Sequence, residues 1–508
     1  MLVVTIVLSK RFLRSTSHHL GAELIMEDNL TIPYHAPTSD FQEVRGRTSV
    51  IAFFFGMSFI YASILIGGKW AFYIPFFAFA IIITFVWRNA PRPWIFLVSI
   101  AAATPLFTPY HKFTCNIIYA TLFALFNARY LFRLPRWIYV PTALAVVGFC
   151  ISSFTWMSDD VAGGMLRQGA YAFNYIIAPF ILLPIIYLRM EKSRDTVANL
   201  QGLLFCLIVP STIILISAKL FGTVYNAWEA SLHISAGGLS EGFLQYKLSH
   251  VIVDFLRTEV GFILAALICA SMAITISKVK ILYRLLAGVC LSVNMLLLLA
   301  TASFGSGFAC ICGIAAIFYI QFRTVGVVKV FISMVAICGM MLLLYFISPP
   351  NIKIYLENRY EYRVVKADTD RFGMWVRAMK FCVDHPLGIG YSLSINEKGV
   401  KSYVHNDYLA YMVSYSLLGG LGYTSLVAGV LISFLQVKKN ILKDPSALTI
   451  YLAGLGVIVV VAVNSITDHM MENRWYFTLI WSVVWYSYFC TRAGNKAALS
   501  LHASSALP

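Results

Sequence analysis

A histidine followed by two polar residues stands where a long polar segment meets an apolar run. His405, Asn406 and Asp407 directly precede the run that begins at Tyr408. Histidine exchanges a proton near neutral pH, so His405 could act as a general base at a membrane–water boundary. The structural alternative is an interfacial histidine before a helix that Asn406 or Asp407 caps. The position alone leaves both interpretations open.

The polar segment upstream carries two arginines, Arg371 and Arg377, and a glycine-rich turn. A guanidinium group binds phosphate oxygens through two parallel hydrogen bonds, although a solvated amphipathic helix would use the same residues. Gly388 and Gly390 follow Pro386, which predicts a tight turn where the backbone comes close to another group. The segment therefore combines a candidate anion site with a candidate close contact.

The elements that position these residues must be membrane helices. The chain has 508 residues, of which 59% are hydrophobic and 12% are charged, whereas soluble proteins have roughly 25% charged residues. This composition excludes a soluble enzyme, a disordered chain and a disulfide-rich secreted domain. It also disfavours a nucleic-acid binder, despite the net charge of +16. The predicted fold class is an all-α polytopic membrane protein.

Continuous apolar runs of ~20 residues predict about 14 transmembrane helices (roughly 12–14) and exclude a transmembrane β-barrel. The predicted helices begin near Thr48, Trp70, Trp94, Phe113, Trp137, Tyr171, Thr196, Thr258, Ile281, Ser303, Val327, Tyr408, Ala447 and Trp475. With the N-terminus inside, the inside loops carry most of the lysines and arginines. The short outside loops carry only Lys69, Lys112, Arg167 and Arg474. Cytoplasmic loops are enriched in these residues, so we expect both termini in the cytoplasm.

The predicted organisation is one membrane domain with two long outside loops. Its parts are a cytoplasmic tail at 1–47, a transmembrane bundle at 48–347 that includes an outside loop at 222–257, a large outside loop at 348–404, the last transmembrane helices at 405–490 and a cytoplasmic tail at 491–508. The large loop is too long for a mere connection, so we expect it to carry function. Its stretches Tyr355–Arg363 and Arg371–Lys380 are predicted to be short amphipathic helices.

Neither the cysteines nor the acidic residues indicate a metal or a cofactor. The ten cysteines include no CxxC pair, and no acidic pair stands at a suggestive spacing. The sequence also contains no phosphate-binding glycine loop and no ATP-binding motif. We therefore expect no metal and no cofactor. The energy for a reaction would then lie in the substrate, in a gradient or in a partner.

The residues from Arg371 to Gly422 resemble the O-antigen ligase and O-antigen polymerase family of bacterial inner membranes. The shared order is an arginine, a tryptophan, an alanine, the turn Pro-Leu-Gly-Ile-Gly, the motif His-Asn-x-Tyr-Leu and a glycine. Thr301–Gly307 is similar to a Thr-x-Ser-Arg-x-Gly segment of that family. Two positions depart from the pattern, because Ser416 replaces the first glycine after the His-Asn motif and Phe304 replaces the arginine. These departures indicate a divergent member.

The resemblance implies a transferase whose donor is a glycan on a polyprenyl diphosphate, in the periplasmic leaflet. A sugar hydroxyl of the acceptor would attack the anomeric carbon, and the lipid diphosphate would leave. His405 would take the hydroxyl proton or orient the acceptor, and Arg371 would hold the diphosphate. Further candidates for diphosphate or substrate binding are Arg257 and Arg167 at the outer ends of spans, Arg377 and Asn406. Snorkelling toward lipid headgroups is the alternative for the boundary arginines.

The resemblance leaves the acceptor open. A polymerase, the first choice, would extend one lipid-linked glycan with another, whereas a ligase would transfer the glycan to lipid A-core or to protein. A transporter or flippase for lipid-linked glycans is the alternative of another class. The expected partners are the glycan donor, the glycan or lipid A-core acceptor, membrane lipids and a regulator of chain length, with no nucleic acid. The expected location is the bacterial inner membrane, with the active face in the periplasm.

Overall fold

The structure is a computed structural model, and it describes a set of helices from residue 133 onward. The described residues are 133–156, 172–192, 195–213, 258–301, 303–325, 370–390, 394–397, 400–436, 441–467 and 478–492, with single positions at 169, 215, 216, 339 and 346. The predicted helices near Thr48, Trp70, Trp94, Phe113 and Val327 lie outside these residues. So do the N-terminal tail, the loop at 222–257 and the predicted helix Tyr355–Arg363.

The described chain is helical, with one short β-hairpin. Its helices are α1 Arg136–Trp156, α2 Phe173–Leu182 continuing as Leu183–Leu188, α3 Thr196–Ile213, α4 Thr258–Thr275, α5 Ile281–Thr301, α6 Phe304–Val325, α7 Asp370–Asp384, α8 Asp407–Leu435, α9 Pro445–Thr467 and α10 at 478–492. Short 3₁₀ turns follow α2 at Arg189–Lys192 and α8 at Ile441–Lys443. Helices α1 to α6, α8 and α9 each begin within three residues of a predicted apolar run. Apolar segments of this length form helices because a helix satisfies its own backbone hydrogen bonds.

Six of the described helices are long and apolar enough to cross a membrane: α1, α3, α5, α6, α8 and α9. Shorter apolar helices span Tyr175–Leu188 and Val260–Thr275. In the most apolar stretch of α9, 83% of the residues are buried, compared with 33% in the most apolar stretch of α1. Helix α9 is therefore an inner helix of the bundle, and α1 is an outer one. These helices are compatible with a multi-pass membrane protein, while the total of about 14 spans stays a prediction.

The segment predicted as the large outside loop contains α7 and a β-hairpin. α7 covers the predicted helix Arg371–Lys380 and confirms it. Strand β1 Ser394–Glu397 pairs antiparallel with β2 Val400–Tyr403, so that Ser394 lies opposite Tyr403. This hairpin is not apparent from the sequence. Strands of four mostly polar residues are too short to show an alternating apolar pattern.

Contacts between helix ends divide the described bundle into two ends. At the basic end, Arg492 forms an ion pair with Glu191 at 2.7 Å, and Gln201 donates a hydrogen bond to Tyr283. The exposed cations at this end include Arg136, Lys278, Lys280 and Lys443. At the motif end, the start of α8 contacts the end of α9, and the start of α6 contacts it as well. The predicted inside loops therefore share one end of the bundle, and the candidate motifs share the other.

Helix α2 has an irregular backbone that aromatic donors stabilise. Pro179 lies inside this helix and has no N–H to donate within it, and the carbonyl of Tyr175 lies about one turn before it. The Tyr411 hydroxyl donates to this carbonyl at 2.7 Å, and the Trp485 indole donates to the Pro179 carbonyl at 2.7 Å. Tyr411 also stacks on Tyr423, with ring centroids 4.2 Å apart. These contacts tie α2, α8 and α10 into one aromatic core.

Helices α1 and α8 cross in close contact because glycines line the crossing. A Cβ on Gly148 would lie 2.3 Å from the carbonyl oxygen of Tyr415 and 2.5 Å from the nitrogen of Gly419. A Cβ on Gly422 would lie 2.6 Å from the carbonyl oxygen of Pro141 and 2.7 Å from the nitrogen of Ala145. Small residues let membrane helices approach each other in this way. The two glycines of α8 thus position α8, and the His405 motif before it, against α1.

Candidate functional site

The His-Asn motif forms the junction between the hairpin and α8. Asn406 is the N-cap of α8: its side-chain oxygen accepts a hydrogen bond from the nitrogen of Leu409 at 3.1 Å. Its amide nitrogen donates to the carbonyl of Ile466 at 3.2 Å. Of the two caps that the sequence allowed, Asn406 is therefore the one present. The oxygen and the nitrogen of the Asn406 side chain both form hydrogen bonds within the protein, so Asn406 fixes the motif to α9. Its role in substrate binding stays a prediction.

His405 is held in an unusual backbone conformation. Its φ is 44°, in the left-handed region, where histidine is enriched among non-glycine residues. The side chain is half-buried, between the buried residues Val404 and Asn406. The half-buried imidazole thus stands at the start of α8, with its backbone held between two buried neighbours. This geometry suits a residue that exchanges a proton with a bound substrate.

Asp407, the first residue of α8, has a fully buried carboxyl group. The hydroxyl of Ser465 donates to its Oδ2 at 3.3 Å, and the hydroxyl of Tyr423 lies 2.8 Å from the same serine oxygen. The amide dipoles at a helix start favour a negative charge in the first turn. A buried polar group also needs such partners, because an unpaired one is costly. Asp407 thus anchors the start of α8 to α9 next to the histidine.

The Thr301–Gly307 segment contacts the same end of α9 that Asn406 and Asp407 contact. Ser303 donates to the hydroxyl of Ser306 at 3.0 Å, and Ser306 donates to the side-chain oxygen of Asn464 at 3.3 Å. Gly305 lies against Thr467, and a Cβ on Gly305 would lie 2.9 Å from the threonine hydroxyl oxygen. Residues 464–467 of α9 therefore contact both segments, although about a hundred residues separate these segments in the sequence.

The glycine turn occupies a break in α8. Helical geometry ends at Tyr415 and Ser416, so the nitrogen of Leu417 and the carbonyl of Val413, which a continuous helix would pair, are separated. The turn bonds both: Ile389 donates to the Val413 carbonyl at 3.0 Å, and Leu417 donates to the Pro386 carbonyl at 3.3 Å. The predicted close contact of this turn is thus present, and it replaces one hydrogen bond of the helix.

Gly388 and Gly390 both have the positive φ that favours glycine, and Gly388 also lies in close contact with α8. Its φ is 76°, and a Cβ there would lie 2.6 Å from the nitrogen of Ser416 and 3.0 Å from the carbonyl oxygen of Ser414. The hydroxyl of Thr155, at the end of α1, donates to the Gly388 carbonyl at 2.7 Å. The turn is therefore fixed between α1 and the break in α8.

Ser416 has a backbone conformation that is normally reserved for glycine. Its φ is 69° and its ψ is 171°, a region in which an ordinary Cβ is strained. Its hydroxyl oxygen is buried without a hydrogen-bond partner. The O-antigen family pattern has glycine at this position. Ser416 replaces that glycine but keeps backbone angles that glycine adopts easily.

The predicted arginines fall partly outside the described residues. Arg377 is exposed on α7, and it is not in the buried contact between α7 and the bundle. Arg371 is in the first turn of α7, but its side chain lies outside the described part of the structure, as do Arg257 and Arg167 altogether. The structure therefore places His405, Asn406, the glycine turn and the described residues of Thr301–Gly307 at one end of the bundle, and the arginine roles stay predictions.

Sequence reasoning missed the polar residues of α9 that join the two segments. Asn464 and Ser465 interrupt a run of valine, isoleucine and alanine, and both are buried. Buried polar side chains in a membrane helix usually bond to another helix, and this interruption was the available signal. Among the described residues, no group of three histidines, cysteines or acids could hold a metal ion.

No model of a known protein family matches the chain, and no curated protein matches it.

Proposed function

We propose that the chain transfers a polyprenyl-diphosphate-linked glycan to a sugar hydroxyl at the periplasmic face of a bacterial inner membrane. The polymerase, which extends an O-antigen or exopolysaccharide, is the first form of this proposal. The ligase, which transfers the glycan to lipid A-core or protein, is its alternative. Both share the donor chemistry and differ in the acceptor.

The observation that supports the proposal is the convergence of three separate segments at one end of the bundle. The His405 motif and the Thr301–Gly307 segment both contact residues 464–467 of α9. The glycine turn contacts α8 two turns after the histidine. These are the segments whose residues resemble the O-antigen ligase and polymerase family. Segments that act on one substrate have to lie in the same part of the molecule, and their shared end of the bundle supports this proposal.

The proposed reaction needs a base and a cationic site. The acceptor hydroxyl oxygen bonds to the anomeric carbon of the donor sugar, and His405 takes the hydroxyl proton. The bond between that carbon and the phosphate oxygen breaks, and the polyprenyl diphosphate leaves with the electron pair. Arg371, with Arg257, Arg167 and Arg377 as further candidates, balances the charge on the diphosphate. The sugar–phosphate bond supplies the energy, so the reaction needs no nucleotide.

The test compares two histidines of the same region. In a strain that lacks the gene, we expect His405→Ala to abolish the long or transferred glycan at an equal membrane level of the protein. With purified protein, we expect its transfer rate to fall by about 10²–10⁴-fold, the usual contribution of a general base. The control is His385→Ala, because His385 is exposed beside the glycine turn and its ring lies against the ring of Phe381, with centroids 4.4 Å apart. Arg371→Ala belongs in the same series.

The accumulated species separates the two forms of the proposal. Loss of a polymerase leaves single-repeat glycans, whereas loss of a ligase leaves long lipid-linked chains that do not reach an acceptor. Wild-type glycans from both His405→Ala and Arg371→Ala would contradict the proposed chemistry. If His385→Ala lost the glycan and His405→Ala kept it, His405 would not be the base and His385 would replace it as the candidate.

The break in α8 is the observation that favours a transporter as the second candidate. Discontinuous membrane helices form the substrate sites of many transporters. Here, however, the glycine turn takes up the two backbone groups that the break releases, as expected for a structural junction. An assay in detergent distinguishes the two, since only a transferase forms a new glycosidic bond and releases polyprenyl diphosphate without a membrane to cross.

A further inference from the structure

Helix α7 presents a row of large apolar side chains to the outside of the protein. Phe372, Val376, Met379 and Val383 follow one another at intervals of four, three and four residues, and Leu387 continues the row into the turn. Their exposed fractions are 70%, 45%, 47%, 75% and 51%. This spacing places the side chains on one face of the helix. Large apolar patches of this kind indicate a partner surface.

The other faces of α7 have different chemistry. Ala378, Phe381 and Cys382 are buried against the bundle, and burial raises the pKa of the Cys382 thiol to about 11. Arg377 and Lys380 are exposed between the buried face and the apolar row, and Asp384 is an exposed acid in the last turn. An apolar face bordered by cations is typical of helices that lie in the membrane–water interface.

The apolar row continues onto the outer surfaces of two bundle helices. Gly388, next to Leu387, bonds to Thr155 at the end of α1, where Phe154 is 82% exposed. The carbonyl of Pro386 bonds to Leu417 of α8, whose side chain is 39% exposed, and Leu421 one turn later is 40% exposed. α1 and α8 are long and apolar enough to cross a membrane, and in a bilayer their outward faces would meet lipid. The row on α7 joins these faces at the motif end.

We propose that α7 lies in the membrane–water interface, with the row from Phe372 to Leu387 among the acyl chains and Arg377 and Lys380 at the lipid phosphates. A bilayer fits both parts of this surface, because acyl chains cover the apolar row and the long cationic side chains reach the headgroups. The glycine turn would then be held at a fixed depth in the membrane. This proposal does not depend on the transferase chemistry.

The test measures the environment of single spin labels on the full-length protein in phospholipid nanodiscs. The parent chain has Cys115, Cys150, Cys312 and Cys338 replaced by alanine, and the buried Cys382 thiol, mostly protonated at neutral pH, should react slowly. Val383→Cys places a label on the apolar row, and Lys380→Cys places the matched control on the cationic side of the same helix. Met379→Cys is a second position on the row.

We expect labels at 383 and 379 to collide with dissolved oxygen several-fold more often, relative to a water-soluble nickel chelate, than the label at 380. Equal access of the nickel chelate to 383 and 380 would overturn the proposal, because the row would then face water. Protection of 383 and 379 from both reagents would also overturn it, since a second copy or another protein would then cover the row.

Discussion

His405 and Ser416 are the two non-glycine residues with a positive φ in the described part of the chain, and both belong to the candidate site. Each such conformation costs on the order of 1–3 kcal/mol and persists only where surrounding contacts impose it. For Ser416 these contacts are the glycine turn and α1, and for His405 they are the buried neighbours on both sides. Both strained backbone positions therefore lie in the segments on which the proposed function depends.

We expect Ser416→Gly to stabilise the protein by about 1 kcal/mol, because glycine relieves the strain and removes a buried hydroxyl without a partner. The measurement is the midpoint of thermal unfolding in detergent. Ser416→Ala is the control, since it removes the hydroxyl but keeps the Cβ. A lower midpoint for glycine than for alanine would show that the strain is not at this residue.

At the scale of elements, the crossing of α1 and α8 determines where the candidate site is held. Gly148, Gly419 and Gly422 bring the two backbones together, and the break in α8 begins next to this crossing. An added side chain here would push the helices apart along with the turn and the histidine. The crossing is thus a packing constraint that also positions the site.

Gly422→Ala should destabilise the protein by about 1–3 kcal/mol, because the new Cβ would meet backbone atoms of α1 at 2.6 and 2.7 Å. Gly307→Ala is the matched helical control, since no atom lies within 4 Å of its Cβ position. Thermal unfolding in detergent should show a lower midpoint for the first variant and an equal or higher one for the second. Equal midpoints would mean that the crossing adjusts without cost.

The sequence predicts helices better than it predicts their interruptions. Apolar length places helix starts such as those of α4 and α5, and amphipathic spacing predicts α7, because both signals depend on many residues. The hairpin at 394–403 and the break at Ser416 depend on a few backbone angles and on contacts with distant segments. Only the two glycines after Pro386 indicated that a close contact exists, and they did not indicate its partner.

At the scale of the whole molecule, the separation of the two bundle ends gives a test of orientation. Lys443 is exposed at the basic end and His385 near the motif end. In intact cells, a membrane-impermeant maleimide should label His385→Cys above the parent chain and should label Lys443→Cys only after the membrane is opened, as the positive-inside rule predicts. Labelling of both variants in intact cells would contradict a spanning arrangement, and the reverse pattern would invert the orientation.

The candidate site as a whole was only partly predictable. His405 and the glycine turn were found from residue type and spacing, because they are rare combinations in a polar segment. Asn464 and Ser465 were not, since two small polar residues in an apolar run indicate a contact without indicating its target. Only the packing of α6, α8 and α9 brings these residues to the same place.

The hydrogen bonds of the glycine turn and of Asn406 fix both ends of the stretch between them. Ile389 is hydrogen-bonded to α8 and Asn406 to α9, so the hairpin lies in a segment whose two ends are both fixed to the bundle. Residues could be added between Glu397 and Val400 at a small entropic cost without moving either anchor. The distance in sequence between the turn and the histidine is therefore free to vary during evolution. We expect chains related to this one to keep the turn and the His-Asn motif and to differ in the number of residues between them.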